Sequence, residues 1–334
     1  MTKREAPIYT VIFLNQAQVF DWFGRVRPQV IFMAAAKVGG IVANNSSGMC
    51  CGVKQNTYHT LQDMRVVPVD GAVLDTADGA SRRAFEGSHA ALLAGLRDLA
   101  SRVQGDDELM QLIRKKYSIK NTTGYSINAL ADFSPDNPIE ILKRLMIGSE
   151  GTRGFVSRVT YASVPDHPCK ASAFLVFSDI GHACDATSVL RSETSVDAVE
   201  IFDQRSLNLC RKMGDIARLC PELDELPAGG EGAALLIECR GEDEAALEAA
   251  VAEVCGALAG SGVPLRSRSG FTPSAFYYKP HEYNTFWDAR KGLIPVVGGA
   301  RESGTVMLLE DVACSTDRLG EMSKDLIRIL QRLG

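Results

Sequence analysis

The chain has 334 residues, of which 46% are hydrophobic and 23% charged, and its formal net charge is −5. This balance is typical of a globular protein with a sizeable core, and the length suggests one large or two ordinary domains. The acidic balance argues against a general nucleic-acid surface. The apolar run at residues 8–14 is too short and interrupted to span a membrane, and no leader cleavage site follows it, so a cytoplasmic location is expected.

Nine cysteines are present, an odd number, and none belongs to a C-x-x-C pair. This pattern argues against a disulfide framework, a zinc ribbon or an iron–sulfur cluster built within the chain. We predict that most of them are small buried residues in a reducing compartment. The five histidines are scattered without metal-ligand spacing, so no metal site is predicted.

The first half of the chain contains two glycine-rich stretches. No structure is predicted for residues 1–36, which show no clear period. Residues 39–52, GGIVANNSSGMCCG, are predicted to form a loop, because glycine permits φ > 0 and short polar side chains favour turns. Successive backbone N–H groups in such a loop can bind a pyrophosphate. The second glycine-rich loop is predicted at residues 148–154.

Regular elements are predicted between and after these loops. Residues 64–75 predict two short strands around an Asp70-Gly71 turn. A helix is predicted over residues 81–103, with its apolar face formed by Phe85, Leu92, Leu93, Leu96 and Leu99. The remaining predicted elements of this half are a helix over 107–116, a polar loop over 121–125, a helix opened by Pro138 and a strand over 155–164.

The pattern changes after residues 165–168, where we place a domain boundary. The predicted elements are strands over 173–177, 198–202 and 233–238, and helices starting near 181 and 205 and spanning 242–259. In the last helix Leu247, Val251, Val254 and Leu258 recur at i, i+4, i+7 and i+11, and Gly260 is placed to end it. This alternation predicts an α+β layer, a sheet with helices on one face.

Three segments in this order resemble the FAD-linked oxidases of the vanillyl-alcohol-oxidase type: residues 39–52, KNTTGYS at 120–126 and GSEGTRGF at 148–155. The likeness runs from about residue 37 onwards and includes WDARKGLIP at 287–295 and EDVA at 310–313. Within the family the chain resembles the bacterial-type D-lactate dehydrogenases, including the large forms with a downstream iron–sulfur domain.

The resemblance implies an α+β fold in two parts. A PCMH-type second FAD-binding subdomain would occupy residues 37–166, and a FAD-linked oxidase cap domain residues 167–334, with residues 1–36 unassigned. It also implies an internal fragment of a longer enzyme, because the family's first flavin subdomain and its GHxxxGNLH segment have no counterpart here. Arg153 and Ser315 stand where the family usually has leucine and proline.

The resemblance implies FAD as the cofactor and assigns residues to it. The residues expected to bind FAD are Gly39, Gly40, Ala43, Asn44, Gly48, Asn121, Gly124, Gly148, Glu150, Gly151, Gly154, Phe155 and Val156. Arg290 would bind the substrate carboxylate, a role that suits a planar and always charged guanidinium. The alternative for Arg290 is a solvated helix face beside Lys291.

The implied function is FAD-dependent oxidation of a D-2-hydroxy acid, most simply D-lactate to pyruvate, with electrons passed to a quinone or cytochrome. Such an enzyme would be cytoplasmic, free or peripheral to the membrane. Two alternatives remain open. The substrate could be D-2-hydroxyglutarate, with Lys291 or Arg301 as a second cation, or glycolate. The chain could also be a non-catalytic truncated remnant.

Overall fold

A computed structural model describes residues 8–11, 38–46, 53–227, 229–300, 302–305 and 314–333. The chain divides into two compact units, Met1–Asp166 and His167–Gly334. Both combine an antiparallel sheet with helices, which confirms the predicted α+β class.

The first unit contains a four-stranded antiparallel sheet in the order β1-β4-β2-β3. Its strands are β1 (Ile8–Val11), β2 (Leu61–Val67), β3 (Leu74–Asp75) and β4 (Phe155–Ala162). The predicted hairpin is confirmed, because Val66 pairs with Leu74 and Gly71 turns the chain with φ of 81°. Strand β1 lies in the segment for which no structure was predicted, and pairs with β4.

Seven helices of the first unit are described. They are α1 (Val38–Asn44), α2 (Thr57–Thr60), α3 (Gly79–Ser88), α4 (Ala90–Gln104), α5 (Asp107–Tyr117), α6 (Ala129–Asp132) and α7 (Pro138–Leu145). Helix α5 begins at the predicted residue, where Asp106 caps it by accepting a hydrogen bond from the Leu109 N–H. The proline at the start of α7 is also as predicted.

The single helix predicted over residues 81–103 is wrong. The helix is interrupted at His89. The His89 N–H donates to the Phe85 carbonyl, and its ring stacks on the Phe85 ring with the centroids 3.9 Å apart. The His89 ring also contacts the Asp70 carboxylate at 2.7 Å, which fixes the break against the hairpin turn. Of the apolar face predicted for this helix, Leu93 and Leu96 are buried, whereas Leu92 and Leu99 lie at its edge and are exposed.

The loop predicted over residues 39–52 is wrong in its first part, which forms helix α1. Two glycines in a helix cost about 1 kcal/mol each relative to alanine. Burial of the Ile41 and Val42 side chains offsets this cost, at roughly 1.5–3 kcal/mol for each fully buried apolar side chain. Residues 47–52, including Gly48, Cys50 and Cys51, lie outside the described residues.

The second unit contains another four-stranded antiparallel sheet, in the order β6-β7-β5-β8. Its strands are β5 (Cys169–Phe177), β6 (Ala198–Phe202), β7 (Ala233–Gly241) and β8 (Phe276–Tyr277). Its helices are α8 (Ile180–Glu193), α9 (Gln204–Cys210), α10 (Gly214–Leu219), α11 (Glu244–Gly260), α12 (Pro280–Ala300) and α13 (Leu319–Leu333). Three 3₁₀ helices, Pro221–Glu225, Pro273–Ala275 and Thr316–Arg318, complete the unit.

Helices cover both faces of this second sheet, which corrects the prediction of helices on one face. On one face, Leu235 and Ile237 of β7 pack in a cluster with Val251 of α11. On the other face, the Phe174 ring of β5 stacks on the Phe286 ring of α12, with ring centroids 5.0 Å apart. Strands buried on both faces read as continuous apolar runs, and β5 and β7 show this pattern.

The described cysteines are all free thiols, and five of them are buried: Cys184, Cys210, Cys220, Cys239 and Cys255. Burial raises the pKa of each of these thiols, so they stay protonated and unreactive at neutral pH. The prediction that most cysteines are small buried residues is confirmed for these five. No helix within the described ranges has both the length and the apolar character that a membrane crossing requires.

Candidate functional site

The end of helix α1 and the second glycine-rich loop are joined by hydrogen bonds. The Gly148 N–H donates to the Val42 carbonyl at 3.0 Å, and the Glu150 N–H donates to the Ala43 carbonyl at 2.9 Å. The Asn44 Nδ2 donates to the Glu150 Oε1 at 2.8 Å. The structure therefore brings together residues of two motifs that are about a hundred positions apart in sequence.

The segment 124–126 reaches the same place. The Ser126 hydroxyl donates to the Ile147 carbonyl at 2.9 Å, and the Tyr125 hydroxyl lies 2.8 Å from the Thr152 hydroxyl. The Arg153 guanidinium lies over the Tyr125 ring, 4.0 Å from its centroid. We refer to residues 43–46, 124–126 and 148–154 as the loop cluster.

Left-handed backbone is concentrated in the loop cluster. The residues with positive φ there are Asn45 (53°), Gly124 (72°), Gly148 (75°), Glu150 (49°), Gly151 (76°) and Gly154 (151°). Positive φ turns consecutive N–H groups towards one side, which is how backbone concavities bind anions. A Cβ atom on Gly124 or Gly151 would meet nothing within 4 Å, so these two glycines face open space that a ligand can occupy.

One buried polar side chain of the cluster, that of Asn45, was missed by the sequence analysis. Asn45 is 6% exposed, and its Oδ1 has no hydrogen-bond partner among the described residues. The sequence analysis assigned Asn44 instead, but the Asn44 side chain is used within the protein by Glu150 and by the Ser46 hydroxyl. Residue type gives one signal for Asn45, since asparagine is enriched in left-handed backbone.

The other predicted cofactor residues are less closely grouped. Gly39 and Gly40 lie within α1, and a Cβ on either would meet nothing within 4 Å. Asn121 accepts a hydrogen bond from the Thr123 N–H in its own turn, at 3.1 Å. Phe155 and Val156 follow the loop cluster directly and are the first two residues of β4.

The exposure of Phe155 is unusual for an aromatic residue at a strand end. Its side chain is 59% exposed, whereas Val159 further along β4 is buried. Large exposed apolar side chains often mark binding surfaces. The role of Phe155 at the cofactor stays a prediction.

Arg290, the predicted substrate-binding residue, lies in the second unit on α12. Its Nε donates to the Glu200 Oε2 of β6 at 2.8 Å, and the two side chains are 23% and 20% exposed. Among the described residues, no group accepts a hydrogen bond from its two terminal nitrogens. Glu200 therefore fixes one edge of the guanidinium, and the two terminal nitrogens have no partner among the described residues.

The helix that carries Arg290 is anchored to the sheet one turn earlier. The buried Trp287 indole donates to the Ser172 hydroxyl of β5 at 3.0 Å. Next to Ser172 in the sheet lies Glu238, which forms an ion pair with Arg240 at 2.6 Å. These contacts place Arg290 on the polar end of the sheet face that α12 covers.

Asp197 lies at the edge of the same region. Its Oδ2 accepts a hydrogen bond from the Arg240 N–H at 2.8 Å. Burial raises the pKa of the Asp197 carboxyl, and the nearby Arg240 only partly opposes this effect. No three metal-ligating side chains within the described ranges lie close enough together to hold a metal ion.

Lys291 points away from the Arg290 site. Successive residues of a helix are about 100° apart around its axis. Lys291 pairs with Asp288 on its own helix at 3.0 Å, and both side chains are more than half exposed. Arg301 and residues 306–313 lie outside the described residues.

A family model for the C-terminal domain of FAD-linked oxidases matches residues 167–334. The chain belongs to the FAD-linked oxidases. This family consists of FAD-dependent oxidoreductases, so the cofactor that the match implies is FAD. A search of curated protein sequences finds no match.

Solved structures of alkyldihydroxyacetonephosphate synthase, in two crystal forms, are similar to this FAD-linked oxidase in fold. The TM-scores are 0.54 and 0.52, with 12% sequence identity in both. The matches cover 88% and 87% of this chain, but 45% and 42% of the synthase chains. The chain thus spans less than half the length of those structures, and at this identity the likeness establishes the fold alone.

The loop cluster of this FAD-linked oxidase fits the cofactor. It offers left-handed backbone next to open space, and a buried acceptor, Asn45 Oδ1, that no described residue satisfies. Buried polar atoms are almost always hydrogen-bonded, so an unsatisfied one at such a place requires a partner.

Proposed function

We propose that the chain is part of a FAD-dependent dehydrogenase of D-2-hydroxy acids, with D-lactate as its substrate. In this proposal residues 37–166 are the FAD-binding subdomain and residues 167–334 the substrate cap. The acceptor of the electrons is a quinone or a cytochrome. FAD, when bound, accepts the hydride that leaves the hydroxyl-bearing carbon of the substrate.

The substrate proposal rests on one observation, the hydrogen bonding of the Arg290 guanidinium. Its Nε is held by Glu200, and its terminal nitrogens have no partner among the described residues. A guanidinium in this state is oriented in advance and binds a carboxylate through two parallel hydrogen bonds. The proton of the substrate hydroxyl goes to a base that we assign to no residue of this chain.

Of the candidate cations that the structure describes, Arg290 alone is proposed to bind the substrate, and one such cation favours a monocarboxylate. A second acidic group, as in D-2-hydroxyglutarate, needs another cation beside Arg290, and Lys291 is paired on the exposed side of α12. Glycolate remains a candidate because it also has one carboxylate. D-Lactate and glycolate differ by one methyl group, and a methyl group is worth only about 1 kcal/mol of discrimination.

The test is the visible spectrum of the purified chain after incubation with FAD and desalting. We expect flavin bands that D-lactate bleaches under anaerobic conditions and L-lactate does not. Retained flavin that glycolate or D-2-hydroxyglutarate bleaches instead would overturn the D-lactate assignment. A colourless protein would overturn the proposal that this chain alone binds FAD.

Variants at neighbouring helix positions test Arg290 directly. Arg290→Ala should raise the D-lactate concentration needed for half-bleaching by roughly 10- to 100-fold, because charged hydrogen bonds contribute about 1.5–3 kcal/mol. Arg290→Lys should fall between Ala and wild type, since it keeps the charge and loses the planar fork. Lys291→Ala is the matched control on the exposed side and should leave bleaching unchanged. An equal response of both alanine variants would contradict the assignment.

A further inference from the structure

Asn45 occupies a position where glycine is the usual residue. Its N–H donates to the Val42 carbonyl at 3.2 Å, and the next N–H, of Ser46, donates to the Ile41 carbonyl at 3.0 Å. These two bonds close α1 as a Schellman motif, in which the residue at the position of Asn45 is left-handed and most often glycine. The motif explains the positive φ of Asn45, but it makes no use of the side chain.

The side chain of Asn45 carries a cost that the helix end does not require. Its Oδ1 is buried and has no hydrogen-bond partner among the described residues. An unsatisfied buried polar group destabilises a protein. A glycine would close the helix without this cost, so the amide at position 45 has a use outside the helix.

The location of Asn45 indicates what that use is. A Cβ added to Gly148 would lie 3.5 Å from the Asn45 Cβ, 3.6 Å from the Ser126 hydroxyl and 3.7 Å from the Gly124 carbonyl. The side chain therefore lies where all three segments of the loop cluster meet. The N–H groups of Gly148 and Glu150 are already bonded to carbonyls of α1, so they do not reach the Asn45 Oδ1.

We propose that the Asn45 Oδ1 accepts a hydrogen bond from an uncharged donor of FAD, a hydroxyl or a ring N–H. This inference rests on the cofactor of the proposed function and assigns the contact to a residue outside the set predicted from sequence. Phosphate oxygens of FAD carry no proton at neutral pH and cannot donate to a carbonyl oxygen. The donor belongs to the adenosine half or to the ribityl-flavin half of the cofactor.

The test compares two substitutions that tolerate left-handed backbone. Asn45→Gly removes the amide, and Asn45→Asp keeps an acceptor oxygen in its place. We expect isothermal titration with FAD to give a Kd about 10-fold higher for Asn45→Gly, and a change of less than about threefold for Asn45→Asp. The melting temperature of FAD-free Asn45→Gly should equal or exceed that of the wild type, because the unsatisfied group is gone.

Asn128 provides a matched control in the same unit. It is 4% exposed and also has an Oδ1 without a partner among the described residues, but its Nδ2 donates to Asp132 at 3.0 Å. Asn128→Ala should lower the melting temperature of the FAD-free protein and leave the Kd for FAD unchanged. A similar rise in Kd for Asn128→Ala and Asn45→Gly would overturn the proposal, because it would reflect general loosening.

The remaining outcomes separate this inference from the proposed function. A wild-type chain that binds no FAD overturns both, whereas FAD binding that is equal in wild type and Asn45→Gly overturns the inference alone. A loss in Asn45→Asp as large as in Asn45→Gly overturns the acceptor role and indicates a phosphate contact. Titration with ADP and with FMN locates the donor: the probe whose affinity falls in Asn45→Gly contains it. A fall for FAD with neither probe affected overturns direct contact.

Discussion

Both units have an apolar core, and they bury charged side chains on different elements, a helix in the first unit and a strand in the second. In the second unit, β5 and β7 are buried on both faces and the core around Leu235 and Ile237 is apolar. In the first unit, α7 carries Lys143 and Arg144 into the interior. The two cations share the carboxylate of Glu140, at 2.7 Å from Lys143 and 3.2 Å from Arg144.

The buried charges of the first unit hold the backbone that leads to the loop cluster. Arg144 donates to the carbonyl of Tyr58 and, at 2.7 Å, to that of Leu61, which brackets the end of α2. In the same short helix, the Thr57 hydroxyl donates to the Ser46 carbonyl at 2.9 Å.

In the second unit, the buried pair of Glu238 and Arg240 lies within strand β7, and Arg211 donates to the carbonyls of Leu223 and Leu226. Charged side chains therefore hold backbone in both units, and in the first unit the backbone that they hold leads to the loop cluster.

We therefore expect the removal of Arg144 to cause the largest loss in the free energy of unfolding. Arg144→Met keeps most of the apolar stem and leaves two buried carbonyls without their donor, while Glu140 loses one of its two cations and keeps Lys143. Breaking a buried ion pair in this way costs about 3–5 kcal/mol. We expect this loss in the free energy of unfolding measured by urea titration.

Arg328 on α13 is the control for this prediction. It pairs with Asp325 at 3.0 Å, and both side chains are well exposed. Arg328→Met should change the free energy of unfolding by no more than about 0.5 kcal/mol, since exposed pairs contribute little. Comparable losses for Arg144→Met and Arg328→Met would show that the buried cation is not a structural centre of the first unit.

A smaller effect is expected from the backbone of the loop cluster. Gly154 has φ of 151°, and a Cβ there would lie 2.7 Å from the Val67 carbonyl oxygen. Gly154→Ala should destabilise the protein by about 2–3 kcal/mol, because a backbone contact cannot move aside and the conformation is strained. Gly151→Ala has positive φ but open space around it, so about 1 kcal/mol is expected. Equal losses in thermal melts of the two variants would contradict the role of the Val67 contact.

The elements that could be predicted from the sequence are those whose apolar side chains recur with a clear period. Strand Ala198–Phe202 was predicted at its observed bounds, and helix Glu244–Gly260 within two residues, because their apolar periodicity reports directly on burial. This helix ends at Gly260 as predicted, and the left-handed residue that follows it is Gly262. Helix boundaries depend on local cap geometry that periodicity does not contain.

The structure of the first unit was harder to predict from the sequence, and two of its features show the physical reasons. Helix α1 contains two adjacent glycines, and its propensity indicates a loop until the burial of Val42 is known. Nothing in local sequence distinguishes the buried Arg144 from an exposed helical arginine. The candidate site was predictable as three motifs, because glycines and short polar residues report on backbone. The proposal that Asn45 rather than Asn44 contacts FAD could be made only once the hydrogen bonds of both side chains were known.

The smallest expected effect concerns Asp197, a carboxylate at the margin of the apolar second unit. Burial raises its pKa, with Arg240 and His167 opposing the shift and Glu238 adding to it. A carboxyl whose pKa is higher in the folded state binds its proton more tightly there, so its unfavourable contribution is present at neutral pH and fades as pH falls through the folded pKa. Asp197→Asn keeps an oxygen for the Arg240 N–H and should raise the free energy of unfolding at pH 7 by up to about 0.5 kcal/mol, because the group is partly exposed and water screens its charge. In urea titrations at several pH values this gain should shrink towards pH 4. A gain that grows as pH falls would mean that Arg240 stabilises the ionised form of the Asp197 carboxyl. The pair of Asp197 and Arg240 would then stabilise the second unit, as Glu140 and its cations are expected to stabilise the first.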